Sequence, residues 1–594
     1  MSSGITSVVE CPRPNLRPNS VRVFSEVSLI SAGTERMLVS FGKASYANKA
    51  RQQPEKVRMV IDKIKTDGLE TTFNAVKSKL NEPMPLGYSN VGVVESVGDG
   101  GSPFKVGDRV VSNGAHADIV VVNNNLCAVI PDLVDNDSAA FTVVASIGLQ
   151  GVRLASPTLG ECFVVIGAGL IGLLTVQLLR SNGCRVLAVD YDENKLSLAR
   201  QFGAETANRG LGEDHISLAK TFSRGRGVDG VIITASSNSN EPVKDAAMMC
   251  RKRGRIVLVG VVGLTLDRAD FYEKELSFQV SCSYGPGRYD SSYEDDGNDY
   301  PVGFVRWTEQ RNFEAVLDLM ASGGLDVKPL ISNRFALDDA ASAYEQLIED
   351  SSGLGILLEY HSPSAKRDIS SVGLGNKRIV AKSSPSLGVI GAGNYASRVL
   401  IPAFKKLNVS LHTLVTQNGV NGVIHGKPSG FLRASSDTGD VLKEAEIDTV
   451  IVATQHDSHA LYAIESLNAN KNVWIEKPLA INYDSLSLIE DAYYKANQDS
   501  EPGPQLMVGF NRRFSPHGQK MHQLLSNIIT PKSVVITVNA GSIPKDHWTQ
   551  NPLLGGGRII GEGCHFIDFV RFLVGKKITS VNARAMVCNS TRED

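Results

Sequence analysis

The chain has 594 residues, with 61 basic against 63 acidic side chains for a net charge of -2, 42% hydrophobic and 21% charged residues, and 55 glycines. At roughly 100–200 residues per domain the length predicts about four domains, and the near-neutral charge excludes a bulk electrostatic pull towards nucleic acid or an anionic membrane. Collagen-like, disordered and coiled-coil classes are excluded by the same composition, which leaves a glycine-rich multidomain α/β chain.

Cys11, Cys127, Cys162, Cys184, Cys250, Cys282, Cys564 and Cys588 are scattered, with no C-x-x-C pair, as in proteins of a reducing compartment. The opening MSSGITSVVECPRPN lacks the basic stretch and apolar core of a signal peptide. The longest apolar run, 163–179, is too short and too rich in glycine to span a bilayer. The expectation is a cytoplasmic protein without membrane contact.

In chain order, the first unusual stretch is 46–80, which has helical spacing and abundant lysine and reads as two surface helices. They form either a solvated face or dimer contact at the mouth of a cleft, or a binder for an anionic substrate group. Residues 163–179, FVVIGAGLIGLLTVQLL, then join a β-branched run to G-x-G-x-x-G and an apolar helical pattern. Gly167 permits the turn, Gly169 lets backbone approach a pyrophosphate, and Gly172 lets helix pack on strand, leaving free N–H groups for phosphate. The strand RVLAVD ends on Asp190, placed to bind a ribose 2′-hydroxyl and to repel a 2′-phosphate. Strands at 228–235 and 254–260 continue a doubly wound parallel sheet.

The stretch 283–301, SYGPGRYDSSYEDDGNDYP, follows the last of these strands and is expected to line a substrate or cofactor site. Residues 361–383 are serine-rich and basic without a sustained period, and read as a linker or an extended crossing strand. The pattern then restarts at 386–404, SLGVIGAGNYASRVLIPAF, with strand, G-x-G-x-x-A turn and helix. Two nucleotide sites on one chain are therefore expected. The second strand of this unit, HTLVTQN, ends on Thr416 without an acid, so NAD or NADP is admitted there, whereas NAD is preferred at Asp190.

Residues 1–360 resemble the medium-chain dehydrogenase/reductase family through VGVVESVG at 91–98, VGDRV at 106–110, the glycine turn at 166–172 and PLISNRFALDDAASAYEQL at 329–347. The resemblance implies a GroES-like barrel domain from 1–152, completed by about 286–360, around a Rossmann domain at 153–285. Zinc-dependent members carry a cysteine before the G-[TS]-[DE] turn and G-H-E before a barrel strand. Here SAGTE places Ala32 before Gly33, Thr34 and Glu35, and the second position reads Gly87, Tyr88, Ser89. A catalytic zinc needs three protein ligands and an open position, so the expectation is no metal. Tyr88 is then the catalytic candidate, with Ser89 and Glu35 beside it, the alternative being plain packing.

Residues 384–594 resemble the glucose-fructose oxidoreductase, inositol dehydrogenase and MocA family through GAGNYA at 391–396, ATQHDSHALYAIESLNANKNVWIEKP at 453–478, GFNRRFSP at 509–516 and GGGRIIGEGCHFIDFVRFLVG at 555–575. This implies a second Rossmann domain at 384–500 and a partial α/β open-sheet substrate domain at 501–594, cut short by truncation or covered by an oligomer partner. By the resemblance Gly391, Gly393 and Ala396 approach the cofactor phosphates, and Glu476, Lys477 and Pro478 stand beside the nicotinamide. Oxidising a secondary alcohol needs a base and a positive charge near the oxygen. His565 suits the first role and Lys477 the second. Glu562 and Asp568, three residues to either side, are placed to orient the imidazole, although the family's acid position is Gly561. Asn511, Arg512 and Arg513 are the substrate-binding candidates, for hydroxyls or phosphate.

The whole resembles bi-domain dehydrogenases linked with bacterial surface-polysaccharide synthesis, which implies a homo-oligomeric NAD(P)-dependent oxidoreductase acting on a sugar or nucleotide-sugar hydroxyl or ketone. Two other classes stay open: a non-catalytic nucleotide sensor or scaffold, and a zinc-independent enoyl- or quinone-type reductase in the first half.

Overall fold

The computed structural model describes residues 4–45, 48–49, 51, 56–60, 76, 83–350, 353–361, 369–377, 381, 384–498, 502–541, 543 and 547–584. Most of the lysine-rich stretch 46–80 lies outside these residues, as does most of the serine-rich stretch 361–383. The chain divides into two compact units, Met1–Val8 with Leu16–Arg367, and Val9–Asn15 with Asp368–Asp594.

The first unit holds two sheets. The long strand Ser20–Ser31 pairs antiparallel with Asn90–Val97, Ile119–Asn123 and Gly355–Glu359. Ile331–Ala336 extends this sheet beside Gly355–Glu359, and Arg109–Ser112 with Cys127–Val129 extends it beyond Asn90–Val97. It has seven strands, and no pairing among the described residues joins its ends into a closed barrel.

The second sheet is parallel throughout. Its order is Ser277–Val280, Cys250–Leu258, Val228–Ile233, Cys162–Ile166, Arg185–Asp190 and Glu205–Asn208. The chain reverses direction of travel across the sheet at Cys162–Ile166, the topological switch point at whose carboxyl ends α/β folds bind ligands. Phe163 and Val165 on one face pack with Leu173, Leu174 and Leu178 of the helix Leu170–Ser181, and Val164 and Ile166 face a separate apolar cluster. A strand buried on both faces explains the unbroken apolar run in its sequence.

The second unit repeats the plan. Ser386–Ile390 lies between Ser410–Val415 and Thr449–Val452, followed outward by Asn472–Ile475 and Leu506–Val508, all parallel. On the other side Arg433–Ser435 continues the parallel set, and Ser371–Gly373, from the serine-rich stretch, closes it antiparallel. Leu506–Val508 is the last strand among the described residues. Val534–Val538 has strand-forming composition but no paired neighbour there, and an isolated strand has no ladder to join.

Both glycine turns show the division of labour expected of them. Gly167 and Gly391 have φ of +98° and +100°, a region costly for other residues. A Cβ on Gly172 would stand 1.9 Å from the Gly167 carbonyl oxygen, whereas one on Gly169 or Gly393 meets nothing within 4 Å.

This contrast makes a prediction. Gly172→Ala must push helix from strand and should cost about 1–3 kcal/mol of stability by chemical denaturation. Gly169→Ala should leave stability nearly unchanged and weaken dinucleotide binding, because it fills only the open cradle. Equal stability losses in the two variants would refute the division of roles.

Candidate functional site

In the first unit the carboxyl end of the Arg185–Asp190 strand faces the glycine turn. Asp190 Oδ2 accepts from the Ala168 N–H at 2.6 Å, and Oδ1 accepts from Tyr191 and Asp192 N–H at 2.7 and 3.0 Å. A carboxylate has about four acceptor places, so three hold the backbone and one is left for a ribose hydroxyl. Gly169, with open space at its Cα, heads a 12-residue helix whose first N–H groups point out of the turn. These residues fit a dinucleotide.

The candidates at the mouth of the first sheet separate by environment. Ser89 is buried and donates to the Ala140 carbonyl at 2.6 Å, so it is held in the scaffold. Glu35 is fully buried. It accepts from the Ser31 N–H at 2.9 Å and from the Tyr344 hydroxyl, and its Oε2 lies 3.2 Å from His116 Nε2. His116 Nδ1 is 2.7 Å from Ser28 Oγ, which is 2.7 Å from the Tyr360 hydroxyl. Tyr88 packs its half-buried ring on the core and keeps its hydroxyl 3.5 Å from Thr34 Oγ1. Burial raises its pKa, against hydrogen bonds from Ser31 and Thr34 that lower it. Of the three residues singled out in the sequence, Tyr88 alone is not fully buried, and its hydroxyl bonds to the side chains of Thr34 and Ser31. His116, Tyr344 and Tyr360 were not singled out, because nothing in their spacing links positions so far apart.

The loop 283–301 is anchored to the first sheet. Asn125 Nδ2 donates to the Tyr293 carbonyl at 2.9 Å, Arg288 pairs with Glu294, and Asn312 Nδ2 holds the Tyr284 carbonyl at 2.8 Å. Tyr293 is fully buried, so acid and tyrosine in this loop first build its own shape.

In the second unit the residues after the strands Ser386–Ile390, Thr449–Val452 and Asn472–Ile475 converge. Gly393 offers open space like Gly169, Ala396 is buried behind it, and Thr416 Oγ1 is occupied by the Gly422 N–H at 3.0 Å, leaving no acid at the ribose position. Lys477 Nζ donates to the Gly561 carbonyl. Two histidines support the same turn: His459 Nδ1 lies 2.7 Å from the Pro478 carbonyl, and His456 Nδ1 lies 2.8 Å from the Gly555 carbonyl. A Cβ on Gly561 would stand 3.2 Å from His456 Cε1, so the imidazole covers the backbone that holds Lys477. The sequence reading missed both histidines, although the H-x-x-H spacing before the E-K-P turn was a visible signal.

His565 heads the helix Cys564–Val574, and its buried Nδ1 has no hydrogen-bond partner. Burial, then the Lys477 and Arg512 charges, push its pKa down to about 4, with Asp568 opposing. Neither expected acid is hydrogen-bonded to the imidazole, although the Asp568 charge raises its proton affinity. Asp568 is 5% exposed and bound through both oxygens by Arg513, while Glu562 turns outward to Arg558 at 3.4 Å. A buried carboxylate demands its own counter-ion, and Arg513 supplies it in place of the imidazole. Arg513 is therefore engaged within the protein. Arg512 lies over the Phe566 ring at 4.5 Å, and Asn511 Nδ2 donates to the Tyr395 hydroxyl at 2.9 Å, both side chains being exposed. Glu476 is 9% exposed; its Oε2 accepts from the Lys477 N–H at 3.3 Å and its Oε1 has no partner. Burial raises its pKa to about 7 against the nearby Lys477. Two orphaned polar atoms beside an open glycine cradle fit a dinucleotide here as well.

Comparison with known proteins bears on both units. Residues 171–295 match the family described as zinc-binding dehydrogenase, and residues 386–498 match the oxidoreductase family with an NAD-binding Rossmann fold. The rat quinone oxidoreductase is 29% identical over 284 residues, covering 46% of this chain and 79% of that protein. A zinc-type alcohol dehydrogenase-like protein of Escherichia coli is 26% identical over 304 residues, 46% of this chain and 80% of its own length. D-xylulose reductase of Saccharomyces cerevisiae is 26% identical over 303 residues, 45% of this chain and 78% of its own length. The chain joins a medium-chain, alcohol dehydrogenase-like segment to a glucose-fructose oxidoreductase, inositol dehydrogenase and MocA segment, and it is an NAD(P)-dependent oxidoreductase.

The expectation of a chain without zinc is corrected by these matches, since the first segment falls in a zinc-binding family and a relative carries zinc in its name. Among the described residues no group of three His, Cys, Asp or Glu converges as a ligand set. Glu35 and His116 approach each other as a pair only, short of the three ligands a zinc centre uses. Among the described residues no helix is long and apolar enough to cross a membrane.

The His565 environment has a measurable consequence. Its imidazole should stay neutral in the folded protein until pH falls to about 4, well below its ordinary 6.5. The unfolded chain takes the proton first, so stability is lost as pH falls from 6.5 towards 4, and His565→Asn should retain more of it in that window. An NMR titration of His565 centred near 6.5 would refute this environment.

Proposed function

We propose that the second unit oxidises a secondary hydroxyl, or reduces the corresponding ketone, of a sugar or nucleotide-sugar. The observation that carries the reading is the convergence of Lys477 and His565 at the carboxyl ends of a parallel sheet beside the open Gly393 turn. The bound dinucleotide supplies the hydride acceptor. The Lys477 ammonium, held by the Gly561 carbonyl, stabilises negative charge on the substrate oxygen, and the His565 imidazole takes the hydroxyl proton. Asn511 and Arg512, both exposed, bind substrate hydroxyls or a phosphate. The sugar class is supported by the relative named for xylulose. The place we assign it is surface-polysaccharide synthesis in the cytosol, on the family resemblance and on seven described cysteines that are all free.

The first unit, a GroES-like and Rossmann pair at 1–360 in this reading, binds NAD through Gly167, Gly169, Gly172 and Asp190. The second, at 384–594, takes NAD or NADP through Gly391, Gly393, Ala396, Glu476, Lys477 and Pro478. Self-association belongs to the reading, because Leu506–Val508 ends the pairing order of its sheet. A quinone-type reductase in the first unit, with Tyr88 as proton donor, is the second reading, favoured by the relative named quinone oxidoreductase.

The test is reduced-nicotinamide absorbance with NAD or NADP and a panel of polyols, sugars and nucleotide-sugars. With an active substrate, Lys477→Ala should lower turnover by about a hundredfold or more while cofactor binding persists, and His565→Ala by roughly 10²–10⁴. Near-wild-type turnover in both variants would move the chemistry to Tyr88 and the first unit.

A further inference from the structure

The second unit contains a carboxyl group with no counter-ion at the point where its strands present their carboxyl ends. Glu476 follows the strand Asn472–Ile475 directly, and its N–H donates to the Val452 carbonyl at 2.9 Å, fixing it in the row of strand ends. Its Oε2 has a backbone donor; its Oε1 has none. A Cβ at Gly509 would stand 3.2 Å from that oxygen and 2.9 Å from the Trp474 ring, so glycine and indole close one side of it.

The titratable groups that act on Glu476 are Lys477, on its own turn, and Tyr395, in the glycine turn of the neighbouring element. Neither neutralises it as an ion-pair partner. The Lys477 ammonium is bound to the Gly561 carbonyl, and the Tyr395 hydroxyl receives its hydrogen bond from Asn511. Arg513, the other cation of this region, is bound to Asp568. A buried carboxylate in this position is costly unless a positive charge or a donor arrives. Tyr395 belongs to the turn that begins the dinucleotide cradle, which places Glu476 at the mouth of that cradle.

Resting on the dinucleotide reading of the second unit, we propose that Glu476 senses the redox state of the bound nicotinamide: it ionises against the positively charged oxidised ring and keeps its proton beside the neutral reduced ring. Binding of the oxidised cofactor then releases a proton, and binding of the reduced cofactor releases none. The balance is simple: the proton leaves the Glu476 carboxyl for solvent, and no bond of the cofactor changes. The raised proton affinity of the free enzyme places this exchange near neutral pH. Glu476 thereby favours the oxidised cofactor as pH rises and the reduced one as it falls.

Calorimetry on the full chain tests this, with NAD⁺ and NADH as probes in buffers of different ionisation enthalpy. Wild type should release about half a proton more per NAD⁺ than Glu476→Gln at pH 7, and no more than the variant with NADH. The affinity of the second site for NAD⁺ should rise about tenfold between pH 6 and pH 8 in wild type and stay flat in Glu476→Gln. The first-unit site is common to both proteins and cancels in the difference. Equal proton counts in wild type and variant, or equal counts for NAD⁺ and NADH, overturn the proposal while leaving the second site intact. A single site on the whole chain that is weakened in Asp190→Ala overturns the dinucleotide reading of the second unit itself. If Glu476→Gln does not fold, the contrast between NAD⁺ and NADH is read in Asp190→Ala, where the first-unit site is weakened, and equal proton counts there overturn the proposal.

Discussion

The closeness of Gly172 to the Gly167 carbonyl is the constraint on which the first unit depends. Removing one Cβ lets the helix Leu170–Ser181 start almost on top of the strand Cys162–Ile166. That approach brings Leu173, Leu174 and Leu178 onto the sheet and leaves the N–H groups of the helix start facing open space. Core packing and the anion cradle are thus consequences of one missing methyl. The second unit reaches the same geometry with Ala396 in the third place. There the first turn is irregular, running as a wider helical turn through Ala396–Leu400 before Ile401–Lys405. The wide turn ends just before Pro402, which has no N–H to donate back into it.

Charge at the second centre is arranged by exclusion. Among the buried side-chain atoms of the described residues near Lys477, Glu476 Oε1 and His565 Nδ1 have no hydrogen-bond partner. Arg513 and Asp568 satisfy one another, and Lys477 is held by a backbone oxygen, not by an acid. In the proposed reaction, an ammonium held by a backbone oxygen and not by a carboxylate is placed to stabilise a developing alkoxide. The same field, with burial, lowers the proton affinity of His565, while burial raises that of Glu476. Two titratable groups pushed in opposite directions by one environment are the usual mark of an acid–base site.

Legibility in the sequence followed the range of the interaction. The two α/β sheets and their turns could be read because strand, glycine spacing and helix are contiguous, as at 163–190 and 386–396. Lys477 could be read because its turn is local. The partner of Asp568 could not. Position 565 lies three residues away on the same helix and looked like its partner, but Arg513, 55 residues earlier, arrives through the tertiary fold. Glu562 is a different case, since its partner Arg558 lies one helical turn back, a local pair four residues apart that competes with position 565 for the same carboxylate. The zinc expectation failed differently. It was argued from individual ligand positions, whereas the family match rests on 171–295, a stretch that contains none of those positions.

The buried chain Tyr360–Ser28–His116–Glu35–Tyr344 shows what composition alone hides in the first unit. These residues come from the strand Ser20–Ser31, the helix Thr34–Lys43, the stretch before Ile119–Asn123, the helix Ala340–Glu349 and the end of Gly355–Glu359. Polar groups so placed must satisfy one another, since each unpaired buried group costs more than its bond returns. A network of that kind specifies one register of its sheet, because a one-residue slip would turn Ser28 away from both His116 and Tyr360. Its position beside Tyr88 means that the half-buried ring there is presented by a frame locked from behind. Position 88 is therefore held in place by residues distant in sequence, which is why its environment could be named only after the fold was known.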